Sequence, residues 1–205
     1  MSDTTEEKDI GVMIHNTLKP SIQCARAAKK ANQVLGQMSR AFHYRDSTWI
    51  RLYVTFVRPH LEFAVQSWSP WLKKDIEILE KVQERAVKMV KGLKATSYAG
   101  KLKELGLLSL EERRVRGDCI QVWKYLNGIS PCSPELLQFV GEEEHRVTRH
   151  TSKKMNLMNP HARLDIRKYS FTSRCVEEWN RLPQVVKSAQ SLIDFEIEYD
   201  RTVLH

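Results

Sequence analysis

Residues 73–91 read KKDIEILEKVQERAVKMVK, and this stretch shows most clearly how the chain folds. Its apolar residues recur every three or four positions, which is the spacing of one face of an α-helix. The apolar face comprises Ile76, Leu79, Val82, Ala86, Met89 and Val90. The rest of the surface is rich in basic residues, namely Lys73, Lys74, Lys81, Arg85, Lys88 and Lys91. Gly92 follows where glycine commonly ends a helix, so the pattern predicts an amphipathic helix over 73–91.

Similar patterns occur on both sides of this helix. Apolar spacing and capping residues predict helices over 20–41, 98–105, 109–127 and 171–182, and from 191 onward. Another helix begins at Asp46 or Ser47, and Pro59 breaks or kinks it because proline has no amide hydrogen. Residues 141–169 show no helical period, so loop or short strand is expected there. The sequence therefore predicts a mainly α fold in which a loop or short-strand linker leads to a smaller C-terminal helical region.

Composition restricts the classes of protein that fit. The chain has 205 residues, and its hydrophobic and charged contents, 41% and 28%, are those of a globular protein. No apolar run approaches the roughly 18–20 residues of a membrane span, and the N-terminus does not resemble a secretory signal. The four cysteines are scattered, unlike a secreted disulfide framework. We therefore expect an intracellular protein with no membrane contact.

The net charge of +8 is concentrated in two blocks. Residues 10–60 contain eight basic side chains and one acidic one, and residues 145–181 contain nine basic and three acidic ones. Residues 1–9 and 194–200 are acidic, and the first of these is expected to be an acidic tail. Basic blocks of this kind suit a polyanion such as nucleic acid, because bound phosphates release their counterions. The alternative is an ordinary solvated surface.

The sequence lacks the motifs of common catalytic and cofactor sites. It contains no glycine-rich phosphate loop, no HExxH and no GxSxG. Glu77, Glu80 and Glu84 alternate with basic residues, which is typical of a solvated, salt-bridged helix face. We expect no cofactor.

One spacing is compatible with zinc. Cys132, His145 and His150 match the second half of a Cys2His2 zinc finger. The first cysteine is expected at about 127–129, where none occurs. Three ligands leave the tetrahedral shell incomplete, so we interpret the spacing as coincidence.

Aromatic residues are dense over 49–71 and allow two interpretations. Beside basic residues they can stack on nucleic-acid bases, whereas at helical spacing they more often fill a core. We expect core positions here, and also for Trp123, Tyr125 and Trp179.

Seven segments, taken in order, resemble the reverse transcriptases of non-LTR retrotransposons (LINEs) of the chicken-repeat and jockey-like branch. They are KDIGVMI (8–14), CARAAKKAN (24–32), LYVTFVRPHLEF (52–63), WSP (68–70), IEILEKVQERA (76–86), LGLLSLEERR (105–114) and WNRLP (179–183). The first segment resembles the strand that follows the palm domain in those enzymes. The remaining segments resemble the thumb and the helical region beyond it, so the resemblance covers about residues 8–199.

The resemblance implies a role without catalysis. RNA-directed DNA polymerases hold two Mg²⁺ ions on palm aspartates, typically an (F/Y)xDD pair, and no Asp-Asp pair occurs in this sequence. The implied organisation is an acidic N-terminal tail (1–9), a helical thumb-like region (10–128) and a basic, helical C-terminal region (129–205). We therefore expect a non-catalytic fragment of such an enzyme.

The expected activity is sequence-independent binding of RNA or an RNA–DNA duplex. The candidates for phosphate contacts are Lys29, Lys30, Lys73, Lys74, Lys81, Arg85, Lys88, Lys153 and Lys154. Two alternatives stay open. Surface that would face a palm could bind another protein or a second copy of the chain, or the protein could be an inert relic of a mobile element.

Overall fold

The computed structural model describes residues 4–131, 133, 137–140 and 155–204, and these ranges are mainly helical, as the sequence predicts. Packing divides the chain into two compact units, Met1–Arg114 and Val115–His205. The division falls inside a helix and earlier than the predicted boundary after residue 128. It does so because Leu110 packs into the core of the first unit and Cys119 into that of the second.

The first unit joins a two-stranded antiparallel sheet to a group of helices. In chain order its elements are β1 (Glu6–Asp9), β2 (Val12–His15), α1 (Ser21–Ala41), α2 (Ser47–Leu52), a π-helical segment (Tyr53–Val57), α3 (Pro59–Glu62), α4 (Val65–Trp68), α5 (Lys73–Lys88), α6 (Tyr98–Glu104) and the start of α7 (Leu110–Leu126). The helix predicted over 73–91 ends at Lys88, because the amides of Met89 and Val90 bond three residues back and tighten the last turn.

The strands form a hairpin where the sequence predicts a tail followed by one strand. Asp9 pairs with Val12 across a two-residue turn, Ile10–Gly11, in which both residues have positive φ, 41° and 91°. Positive φ at both positions is typical of a type I′ turn. Four residues of the predicted acidic tail therefore lie in β1, whose side chains are all exposed. Without an apolar residue in β1, the sequence carries no alternating pattern that would predict this strand.

Helix α1 packs on α5 through a face of small residues. Cys24, Ala28 and Ala31 lie on the buried face of α1, and small residues of this kind let packed helices approach closely. Ser21 Oγ donates a hydrogen bond to the buried carboxylate of Asp75, 2.6 Å away, which ties the start of α1 to the first turn of α5. The helix predicted over 20–41 is confirmed to within one residue.

Pro59 is accommodated by widening the helix before it. The amide of Arg58 donates to the carbonyl of Tyr53 at 3.0 Å, five residues back, in the π-helical segment. A proline ring clashes with the carbonyl four residues before it, and the wider turn relieves this clash. The predicted break is thus a local change of helix type, and Pro59 begins α3.

A polar network links α5 to the neighbouring helices. Gln83 Oε1 accepts a hydrogen bond from the Tyr53 hydroxyl at 2.9 Å, and its Nε2 donates to the Tyr98 hydroxyl oxygen at 3.1 Å. Glu80 accepts from the Tyr98 hydroxyl and from the amide of Leu110. Burial raises the pKa of Tyr53, which keeps this hydroxyl protonated as a donor. The prediction that Glu80 belongs to a solvated surface is wrong, because cross-helix donors draw its carboxylate inward.

The second unit builds its core around aromatic rings. Beyond the rest of α7, its elements are α8 (Asp165–Lys168), α9 (Phe171–Arg181), α10 (Gln184–Lys187) and α11 (Leu192–Val203). The Phe195 ring lies 5.9 Å from that of Trp123 and 6.0 Å from that of Trp179, between centroids. A bidentate ion pair between Asp118 and Arg174, at 2.8 and 3.1 Å, joins α7 to α9. Among the described residues, an isolated bridge pairs Phe139 with Leu157. The expectation of loop or short strand over 141–169 is wrong at α8, whose single helical turn is too short to show a period in the sequence. Residues 141–154 lie outside the described ranges.

Candidate nucleic-acid interface

One face of α1 carries the polar residues of a cleft. Gln23, Arg26, Lys30 and Gln33 are spaced by three or four positions and therefore share one side of the helix. At 100° per residue, this side lies nearly opposite Cys24, Ala28 and Ala31, the small residues that α1 buries in the core. Lys29 lies at its edge. The packing of α1 on α5 therefore leaves these polar side chains free to line a concave surface.

The β-hairpin forms a second wall of the cleft. The amide of Met13 in β2 donates to Gln23 Oε1 at 2.9 Å, so a largely buried side chain of α1 holds the hairpin against the helix. This placement brings Lys8 of β1 and Gly11 of the turn to the cleft. Lys8 is exposed and lines the cleft together with the cations of α1.

Helix α3 and the residue after it form the third wall with His60 and Phe63. Glu62 on the same helix makes a bidentate ion pair with Arg113 of α7, which fixes α3 within the first unit. The Trp68 indole N–H donates to the carbonyl of Phe63 at 2.8 Å. These hydrogen bonds hold the backbone around Phe63 in place. The Phe63 side chain itself is 55% exposed.

The resulting cleft has a volume of about 520 Å³ and a lining that is strongly positive. Its cations are Lys8, Arg26, Lys29 and Lys30, and the lining contains no carboxylate. Within the described residues, no ion pair joins any of these four cations to an acidic side chain. Four like charges around a concavity focus a positive potential that attracts anions.

The basic face of α5 differs because it carries its own counter-charges. Lys73 and Lys81 each approach Glu77 at 4.0 Å, and Lys88 approaches Glu84 at 2.8 Å. These are exposed i,i+4 pairs, which contribute little stability but reduce the local positive potential. The contacts agree with the predicted salt-bridged surface for these two glutamates.

The structure thus separates the predicted binding residues. Lys29 and Lys30 lie in the cleft, whereas the predicted residues of α5 lie on other exposed surface. Arg85, one of the α5 candidates, donates to Asn32 Oδ1 at 3.4 Å. Lys153 and Lys154 lie outside the described residues, as do Cys132, His145 and His150 of the zinc pattern.

Sequence reasoning missed the residues that complete the cleft. These are Lys8, Arg26, His60 and Phe63. The polar spacing at 23, 26, 30 and 33 gave a signal for Arg26, since it marks one side of the helix predicted over 20–41. The aromatic-rich stretch 49–71 gave a signal for Phe63, because stacking on bases is one of its two interpretations, although core positions are the one expected there. No such signal exists for Lys8 and His60, because the hairpin and α3 meet α1 only in the folded chain.

The prediction that aromatic residues fill the core holds for the larger rings. Trp49, Tyr53, Trp68, Trp123 and Trp179 are buried. Trp71 and Tyr125 are half-buried, and Tyr125 packs against the core of the second unit. The prediction is wrong for Phe56, which is 53% exposed, and for Phe63. Phe56 lies in the π-helical segment, whose buried residues are Tyr53 and Val57, and Phe63 follows the end of α3.

Buried thiols in both units are poor nucleophiles. Burial raises the pKa of Cys24 to about 12, and burial together with the neighbouring Asp118 raises that of Cys119 to about 12. The reactive form of cysteine is the thiolate, so these groups stay inert at neutral pH. Among the described residues, no cluster of three or more His, Cys, Asp or Glu side chains is placed to hold a metal ion. No helix in those ranges has the length and apolarity needed to cross a membrane.

Comparisons of the chain with protein-family models, with curated proteins and with solved structures each find no match.

Proposed function

We propose that the protein binds RNA or an RNA–DNA duplex without reading its sequence, and that the basic cleft of the first unit makes the contacts. The observation that carries the proposal is a concave lining with four cations and no carboxylate. Lys and Arg side chains contact phosphate oxygens, and such contacts position the nucleic acid without discriminating between bases. Counterion release makes them favourable at moderate salt.

The resemblance to LINE reverse transcriptases supports the same site. Three of the segments that carry it, 8–14, 24–32 and 52–63, supply most of the residues that line the cleft. We infer that the chain corresponds to the thumb and downstream region of such an enzyme and has no polymerase activity of its own. The absence of an Asp-Asp pair from the sequence supports this part of the proposal, since two-metal chemistry needs paired carboxylates.

The test compares two pairs of charge-removing substitutions. Fluorescence anisotropy measures the affinity of the full chain for labelled RNA and for an RNA–DNA duplex at low salt. Arg26→Gln with Lys30→Gln removes two cations from the cleft, and we expect a loss of about tenfold in affinity, similar for unrelated sequences. Lys81→Gln with Lys88→Gln removes the same charge from α5, where glutamates already neutralise it, and we expect a loss below about twofold.

Two results would contradict the proposal. One is an absence of binding by the unsubstituted protein at low salt. The other is an equal loss of affinity in the two double variants, which would assign binding to net charge alone. Primer extension with Mg²⁺ tests the catalytic part separately, and incorporation of nucleotides would show that the chain is an enzyme.

A further inference from the structure

Phe63 lines the cleft together with its four cations. The flanking apolar residues Leu61 and Val65 are buried in the core, whereas the Phe63 ring is turned outward. The hydrogen bond from Trp68 to its carbonyl fixes the backbone at this point. On the hairpin side, a Cβ at position 11 would lie only 3.2 Å from Phe63 Cε1, so glycine there gives the ring its room. The ring is therefore held at the cleft by its surroundings.

An exposed ring beside cations fits a nucleobase that is not already stacked. Proteins bind single strands by combining a positive groove for the backbone with aromatic rings on which bases stack. In a duplex each base lies between its neighbours, so its faces are not available to a side chain. The cations of the cleft can serve either form of nucleic acid, but the Phe63 ring adds affinity only for an unpaired base.

The size of the cleft agrees with this choice. Its volume of about 520 Å³ lies within the range of about 300–1,000 Å³ that is typical of sites for small ligands. Such a concavity suits a unit of nucleotide size. We propose that the cleft binds a single-stranded segment of nucleic acid, with one base on the ring of Phe63 and the adjoining phosphates against the cleft cations. This inference rests on the proposed function and narrows it to an unpaired strand.

The experiment uses three labelled probes of equal length: a single strand with bases, a single strand of abasic sites, and a duplex. Phe63→Leu keeps an apolar side chain but removes the flat ring. We expect it to lower the affinity of the full chain for the single strand with bases by about tenfold. The affinities for the abasic strand and for the duplex should stay unchanged, which also shows that the variant folds.

Phe56→Leu is the matched control, because Phe56 is equally exposed but does not line the cleft. It should leave all three affinities unchanged. Equal losses for Phe63→Leu on the strands with and without bases would overturn the inference, and so would no loss on either. Tighter binding of the duplex than of the single strand by the unsubstituted protein would also overturn it.

The two levels of the proposal fail in different ways. If Arg26→Gln with Lys30→Gln weakens all three probes while Phe63→Leu weakens none, charge-based binding stands and stacking is refuted. If the cleft substitutions weaken no probe, the proposed function itself fails. A free mononucleotide tests whether the cleft binds a small nucleotide instead of a single strand or a duplex. Displacement of the strand by micromolar mononucleotide would identify the site as one for a small nucleotide and overturn the choice of a strand.

Discussion

Ile10 lies in a strained turn of the hairpin that forms one wall of the cleft. It is β-branched, has a φ of 41° and lies in a turn that favours asparagine or aspartate followed by glycine. Its side chain is 88% exposed, so little burial compensates the strain. We expect Ile10→Asn to raise the free energy of unfolding of the hairpin by about 1 kcal/mol, since left-handed backbone costs most residues about 1–2 kcal/mol. Hydrogen exchange of the amides paired between β1 and β2 measures the change.

Ile10→Val provides the control for this prediction. Valine keeps the β-branched side chain and hence the strain, so protection of the hairpin amides should not increase. Faster exchange in Ile10→Asn than in the unsubstituted protein would show instead that the isoleucine side chain contributes contacts that outweigh the strain.

The buried thiols make stability depend on alkaline pH. Cys24 and Cys119 have pKa values of about 12 in the fold, above the ordinary 9.0, so the folded chain keeps protons that the unfolded chain releases. The free energy of unfolding should therefore fall as pH rises above about 9, by about 1.4 kcal/mol per pH unit for each thiol. Burial also raises the pKa of the Tyr53, Tyr98 and Tyr199 hydroxyls above their ordinary 10.0. The free energy of unfolding should therefore fall more steeply above about pH 10.

Urea titrations between pH 8 and 10.5 measure this dependence, and Cys24→Ala should make it shallower. A complementary measurement is alkylation with iodoacetamide at pH 8, followed by peptide mapping. We expect neither Cys24 nor Cys119 to be labelled in the folded protein and both to be labelled in urea. Labelling of either in the folded protein would contradict its burial.

At the scale of elements, the end of α9 clamps an extended segment of the second unit. The Asn180 side chain accepts from the amide of Leu157 at 2.8 Å and donates to its carbonyl at 2.9 Å. The Trp179 indole donates to the carbonyl of Met155 at 2.9 Å. From α10, Lys187 Nζ donates to Asn156 Oδ1 at 2.8 Å. The WNRLP segment that carries the family resemblance therefore has a structural role here.

We expect Asn180→Ala to destabilise the second unit by about 2–3 kcal/mol, because it leaves two backbone groups of the buried Leu157 without partners. Hydrogen exchange at the Leu157 amide should accelerate strongly. Asn180→Asp keeps the acceptor for the Leu157 amide but sets a carboxylate oxygen against the Leu157 carbonyl, so it should not restore the lost stability. Unchanged exchange at Leu157 in the alanine variant would contradict the clamp.

Local sequence signals predict the helices well and the cleft poorly. Helix starts follow from side chains that bond within one turn, as in the reciprocal hydrogen bonds of Ser109 with Glu112 and the cap at Ser191. The cleft instead depends on contacts between residues far apart in sequence. The bond from Met13 to Gln23 places the hairpin, and no periodic pattern contains it. The basic face of α5 is the opposite case, because Glu77 and Glu84 lie four positions from the lysines that they pair with, and the sequence alone predicts these pairs.

At the scale of the whole molecule, a bound nucleic acid is attracted either by the net charge of the chain or by the cations of the cleft. The chain carries a net charge of +8, whereas the cleft contributes four cations. Net charge acts at long range and is screened beyond about 10 Å at ordinary ionic strength. Cations at a binding site act by releasing counterions from the phosphates they contact. The two contributions therefore predict different dependences of affinity on salt.

For a single strand, the slope of log affinity against log salt is about −0.7 for each phosphate that is neutralised. If the four cleft cations make the contacts, we expect a slope of about −3, and if all eight net charges act, a slope of about −6. Anisotropy titrations from about 50 to 200 mM salt distinguish these values. In the Arg26→Gln, Lys30→Gln variant the slope should become shallower by about 1–2 units. A slope that stays the same in this variant would place the phosphate contacts elsewhere on the molecule, even if the affinity itself were reduced.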